Sequence, residues 1–257
     1  MNGFCLRPST LPHVQPRILL PDSVSFVACS IVMAEALIVF GKIPRPGQVK
    51  TRLTPVLTAE EAARLYRAFL EDALEQYARV SADVRLYLSD PTGPGDLEME
   101  GGEEFQIFPQ KGNGLGERMN RAFQDTLADG YDAACLIGTD HPTLPTAYVR
   151  QAFQSLSEDP ALCIGPSEDG GFYLLGMTRP YPELFDGMTY SHPDVFGDTL
   201  ARTRRTNGSL TILPQWYDVD TPPALGRLIE DLEKHPDRAA RTRRVIHQMD
   251  LERLSGD

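Results

Sequence analysis

Short apolar runs alternate with amphipathic stretches along most of the chain. Ala36 to Phe40 is a continuous apolar run of the length that a strand buried on both faces requires. A loop rich in Pro, Gly and Lys, Gly41 to Pro55, follows it. Thr58, with Glu61 three residues on, forms a capping box that opens a helix, and Leu65, Phe69 and Leu74 give that helix an apolar stripe. The pattern then predicts strands over Val84 to Leu88 and Phe105 to Phe108, with a loop from Asp90 to Gly95 between them. A helix from Leu115 to Leu127, ended by Asp129-Gly130, leads to a buried strand over Ala133 to Ile137. Pro145 opens the next helix in its favoured first turn, running to Leu156. Strands over Leu162 to Gly165 and Phe172 to Met177, a helix from Pro193 to Arg204, a strand over Leu210 to Leu213 and C-terminal helices complete the series. Strands spaced by helices in this way predict an α/β fold whose mostly parallel sheet is covered on both faces.

No repeat, low-complexity tract or linker divides the chain, so residues 34–257 are expected to form one domain, and residues 1–33 a poorly ordered extension. Within that extension Val24 to Met33 is apolar, and Ala34-Glu35-Ala36 matches the small-residue pattern of an export cleavage site. No basic cluster stands directly before the run, and cleavage there would cut into the first strand. A gene start at Met33 is the simpler expectation, and the run is too short and irregular to span a membrane.

The formal net charge of −11 argues against a broad nucleic-acid surface, which needs clustered Lys and Arg. It leaves room for a phosphate ligand held by a few cations in one cleft. Cys5, Cys29, Cys135 and Cys163 show no metal-type pairing, and the last two sit in apolar runs. Buried free thiols, and hence a reducing, cytoplasmic location, are expected.

In open α/β sheets, ligands bind beyond the carboxyl ends of the strands. Gly41-Lys-Ile-Pro-Arg-Pro-Gly-Gln-Val-Lys-Thr-Arg52 leaves the first strand. Lys42, Arg45, Lys50 and Arg52 place four cations there, Gly47 allows a tight turn, and Lys50 and Arg52 suit phosphate oxygens. The P-loop spacing is absent. After the strand ending at Ile137, Asp140 is placed to hold a hard cation, unless it caps the following helix, and His141 reads as a loop histidine. After the strand ending at Leu213, Asp218 and Asp220 stand in Tyr217-Asp-Val-Asp-Thr-Pro222; Asp220 is either a helix cap or the second carboxylate of a metal site. Glu168 and Asp169, before Gly170-Gly171, either orient an acceptor hydroxyl as a general base or form a plain hairpin turn. Gln110-Lys-Gly-Asn-Gly-Leu-Gly-Glu-Arg118, with Gly114 and Gly116, turns into a helix whose N-terminus suits an anion or a nucleotide's polar edge.

Taken in order, FGKIPRPGQVKTRL, QKGNGLGERM, LIGTDHPTL, GPSEDGGFYLLG and YDVDTP resemble the bacterial transferase family associated with radical-SAM selenodomain proteins, described as arsenosugar-biosynthesis-type glycosyltransferases. The resemblance spans Glu35 to Leu232. That family in turn resembles the GT-A-type nucleotide-diphospho-sugar transferases, together with phospholactate and molybdenum-cofactor guanylyltransferases. It implies a Rossmann-like three-layer α/β/α sandwich with the nucleotide over the first strands. It also implies Asp140 and Asp220 as ligands of Mg²⁺ or Mn²⁺, and Lys50 and Arg52 as phosphate contacts; with the loops around them, Phe40, Lys42, Gly47, Gln110, Gly114 and Gly116 complete the expected nucleotide and phosphate contacts. Lys50, Arg52, Glu168 and Asp169 become the candidate catalytic residues. Two departures stand out: Pro44 and Pro46 remove backbone N–H donors from the first loop, and no D-x-D stands at Asp140.

The expected activity is therefore metal-dependent transfer from a nucleotide-activated sugar to a small-molecule acceptor. Nucleotidyl transfer from an NTP to a phosphorylated acceptor, with release of pyrophosphate, uses the same pieces. A non-catalytic nucleotide-binding protein is the third reading. A nicotinamide-type oxidoreductase is disfavoured because no G-x-G-x-x-G follows the first strand.

Overall fold

The computed structural model describes residues 33–89 and 105–249, all within one compact unit, Met33–Asp257. The expectation for residues 1–33, apart from Met33, and that for the loop Asp90 to Gly95 lie outside the described residues. Among the described residues seven strands form one sheet: β1 (Glu35–Lys42), β2 (Asp83–Ser89), β3 (Gln106–Pro109), β4 (Ala133–Ile137), β5 (Ala161–Pro166), β6 (Phe172–Met177) and β7 (Ser209–Ile212). Their order is β3-β2-β1-β4-β6-β5-β7. Only β6 runs against its neighbours; the other pairings are parallel. The short turn between β5 and β6 enforces this, because a parallel return needs a crossover of a dozen residues or more.

The period-two alternation of the strands feeds two cores. Leu37 and Val39 of β1 pack below α1 (Ala59–Tyr77) and α3 (Thr146–Ser155), with Leu74, Tyr77, Val149 and Phe153. Ile38 faces the opposite side, towards Met119 and Phe123 of α2 (Leu115–Ala128), where α4 (Val195–Thr203) also packs through Phe196 and Leu200. The sheet is thus covered on both faces, a three-layer α/β/α arrangement. A third cluster lies outside α1: Leu65 and Phe69 meet Leu225, Leu228 and Leu232 of α5 (Pro222–Lys234) and Ile246 of α6 (Ala240–His247).

The capping box at α1 is complete: Glu61 N–H donates to Thr58 Oγ1 at 3.2 Å and Thr58 N–H to Glu61 Oε2 at 2.8 Å. Neither Asp140 nor Asp220 is a helix cap, since Pro145 and Thr221 occupy those positions before α3 and α5. Cys135 and Cys163 are free and buried, and burial pushes the Cys135 thiol up. Among the described residues no helix is long and apolar enough to cross a membrane.

Candidate functional site

Because β6 is reversed, its first residues lie at the same edge of the sheet as the last residues of β1, β4 and β5. A cleft of about 830 Å³ opens there, within the size range of small-molecule sites. Its floor is made where three loops meet.

The loop after β1 turns at Ile43–Arg45 and again around Gly47, whose φ of +73° suits glycine. Val49 and Leu53 are buried on either side of Lys50 and draw it inward. Lys50 itself adopts a left-handed φ of 48°, opening the 3-10 turn Thr51–Leu53. Its ammonium donates to Asp140 Oδ1 at 2.6 Å and to Asp220 Oδ1 at 2.8 Å. The Lys50 side chain is only 2% exposed, whereas Asp140 and Asp220 are 42% and 39% exposed. Nζ also lies 5.3 Å from the centre of the Phe69 ring.

Burial works against the Lys50 charge, but the two carboxylates outweigh it and raise the pKa. Burial likewise works to raise Asp140, and Lys50 beside it holds the carboxyl below its ordinary range. Tyr66, pushed up to about 12 by burial and then by the Asp140 charge, accepts from Lys42 N–H at 2.9 Å. Its hydroxyl therefore has its proton available for Thr139 Oγ1, 2.9 Å away and next to Asp140.

The loops carrying the carboxylates are tied together. Val219 N–H donates to Asp140 O at 2.8 Å. Asp218 accepts from the Ser167 hydroxyl and lies 3.4 Å from Nδ1 of the buried His141, so it faces its own partners rather than Lys50. Trp216 stacks on Tyr217 at 5.5 Å and stands edge-on to Tyr148 at 5.7 Å, next to this junction.

Of the expected nucleotide contacts, Phe40, Lys42, Lys50, Arg52 and Gln110 line the cleft. Gln110 is anchored by two bonds of 3.0 Å from Nε2, to Gly41 O and Tyr87 O. The glycines behave differently. Gly47 shapes the turn without lining the cleft, and Gly114 is the extended N-cap of α2. Space above Gly116 is filled by Tyr190, whose ring would sit 2.8 Å from a Cβ there. Gly116 thus serves side-chain packing rather than close approach of a ligand, and the α2 side of the cleft is lined by Leu115, Arg118 and Met119.

The two candidate bases separate. Asp169 lines the cleft, with Oδ1 accepting from Gly171 N–H at 2.9 Å. Glu168 instead pairs with Arg227 at 2.6 Å, outside the cleft lining, because successive residues of the turn aim in different directions. The far wall comes from a segment that the sequence reading passed over: Tyr190, Ser191 and His192. Ser191 has a φ of 66°, and Pro193 packs so closely on Gly170 that a Cβ there would meet its carbonyl oxygen at 1.8 Å. The run Gly187 to Pro193, with a glycine and a proline bracketing Tyr-Ser-His, was the available signal.

Among the described residues no group of three or more His, Cys, Asp or Glu is arranged to hold a metal. Two carboxylate oxygens converging on one point, and open to the cleft, nonetheless suit Mg²⁺ or Mn²⁺. Such ions commonly take one or two carboxylates and complete their shell with water and substrate phosphates.

The family model described as "Uncharacterized protein conserved in bacteria (DUF2064)" matches residues 72–192, which include Asp140 and Asp169. No curated protein matches the chain. A crystal structure from Desulfovibrio desulfuricans G20, of a protein provisionally described as a nucleotide-diphospho-sugar transferase, superposes with a TM-score of 0.73 at 34% identity. The match covers 85% of this chain and 100% of that one. The bifunctional IspDF of Campylobacter jejuni superposes with a TM-score of 0.50 over 80% of this chain and 55% of that one; at 9% identity the likeness is one of fold alone. With 34% identity over the whole of the Desulfovibrio protein and the DUF2064 segment in its middle, the chain belongs to that protein's family, within the nucleotide-diphospho-sugar transferase superfamily.

Proposed function

We propose that the chain is a metal-dependent transferase that uses a nucleotide-activated sugar as donor, of the arsenosugar-biosynthesis type that its five motifs resemble. The observation that carries this reading is the meeting of Lys50, Asp140 and Asp220 on the floor of a cleft at the carboxyl edge of the sheet. Asp140 and Asp220 would hold a divalent ion, which would supply Lewis-acid neutralisation of a diphosphate leaving group. Lys42 and Arg52, both exposed at the cleft, meet the remaining phosphate charge. Asp169, rather than Glu168, is the carboxylate placed to take a proton from an acceptor hydroxyl. The buried thiols Cys135 and Cys163 fit a reducing, cytoplasmic setting.

Thermal unfolding of wild type and Asp140→Ala, with Mg²⁺ or Mn²⁺ and a panel of nucleotide-sugars, nucleoside diphosphates and triphosphates, tests the reading. A ligand that binds only the native state raises the melting temperature. The expected result is a metal-dependent rise with one nucleotide-sugar and its diphosphate, lost in Asp140→Ala. A triphosphate stabilising above all others would replace sugar transfer by nucleotidyl transfer.

A further inference from the structure

The ammonium of Lys50 stands between Asp140 Oδ1 and Asp220 Oδ1, at 2.6 and 2.8 Å, where a small hard cation would bridge the same two oxygens. A divalent ion and an ammonium cannot share that gap, because both need the same lone pairs and they repel at contact distance. With Lys50 in place the cluster keeps a single net negative charge. If a metal alone took the carboxylates, the ammonium would be left beside Phe69 and Tyr66, buried and without an anion. The backbone beneath cannot follow it out readily, since Val49 and Leu53 are buried and the 3-10 turn Thr51–Leu53 begins at Lys50. The flexible four-carbon stem is the part that can pivot, and Lys50 is among the residues at the cleft.

We propose that Lys50 is the resident counter-ion of the Asp140–Asp220 pair, and that it yields this place to a divalent cation when a nucleotide's phosphates arrive to receive the ammonium. Metal and nucleotide then bind cooperatively, and the metal alone binds weakly. This rests on the reading of the cleft as a nucleotide site.

Mn²⁺ binding to the full chain, followed by electron paramagnetic resonance of the free ion, tests it in wild type and Lys50→Met, with and without UDP or GDP. Methionine keeps an unbranched stem of four heavy atoms while removing the charge. Lys50→Met is expected to bind Mn²⁺ alone about tenfold tighter than wild type or more, since a competing charge at contact distance is gone. In wild type a saturating diphosphate should tighten Mn²⁺ binding by roughly 5–150-fold, the usual span of site-to-site coupling, and this gain should shrink in the variant. Equal Mn²⁺ affinity in the two proteins overturns the proposal, as does Mn²⁺ binding to neither. Should Lys50→Met fail to fold, the wild-type coupling decides: its absence when diphosphate does bind overturns the proposal. Failure of every nucleoside diphosphate to bind sinks the functional reading instead, and the comparison without nucleotide still shows whether ammonium and metal compete.

Discussion

At the residue scale, three side chains dominate the site, and all three were legible for one reason. Lys50, Asp140 and Asp220 follow strands, and polar groups just past strand ends converge at one edge of a parallel sheet. Their mutual contact was not legible: Lys50 was read as a phosphate ligand, and its bonds to both carboxylates were not foreseen. Nor did the sequence separate Asp169 from Glu168, because a one-residue difference in a turn decides which carboxylate meets the cleft and which meets Arg227.

The charge cluster has a pH signature. Asp140 titrates below its ordinary 3.8 and Lys50 above its ordinary 10.5. Their mutual stabilisation is therefore whole between those two values. It fades as pH falls from 3.8 through the depressed pKa of Asp140, and as pH rises from 10.5 through the raised pKa of Lys50. Lys50→Met leaves two carboxylates facing each other and should be less stable near neutral pH, by roughly 1–2 kcal/mol given that both open onto water. Denaturant titrations near pH 7 and near pH 3 should show this gap narrowing on the acid side; a gap that stays constant would mean that the pairing of charges is not its source.

At the element scale, period and capping gave most of the strands and helices to within two or three residues. The Thr58–Glu61 box, for example, acts through neighbours along the chain. Strand order and the reversal of β6 depend on which faces pack together, which local pattern does not encode. The C-terminal helix is the clearest case. Arg241 reaches back to Glu71, Asp72 and Glu75 of α1, contacts between segments far apart in sequence. No residue of its own caps α6; Asp72 does so from α1, accepting from Arg241 N–H at 3.1 Å and Thr242 N–H at 2.8 Å. Asp72→Ala should cost about 1–2 kcal/mol, the usual worth of an N-cap, and should speed amide hydrogen exchange in α6 before the sheet is affected. Unchanged exchange there would show that Ile246 and its apolar neighbours hold the helix without the cap.

At the scale of the whole molecule, a net charge of −11 surrounds a cleft into which Lys42, Arg52 and Arg118 project. An anionic ligand meets repulsion at long range and attraction at short range. Raising the ionic strength from about 0.01 M to about 0.15 M shortens the screening length from about 30 Å to about 8 Å, which mutes the distant charge more than the contacts. The association rate of a nucleoside diphosphate measured by stopped flow should then hold steady or rise across that range; a steep fall would mean the cleft's cations govern approach from afar.

Trp216, the chain's one tryptophan, sits between Tyr217 and Tyr148 at the junction of the carboxylate loops, four positions before Asp220. The protein thereby carries its own optical label. Fluorescence excited at long ultraviolet wavelength comes from a single indole beside the machinery, so movement of that junction can be followed as emitted light in unmodified protein.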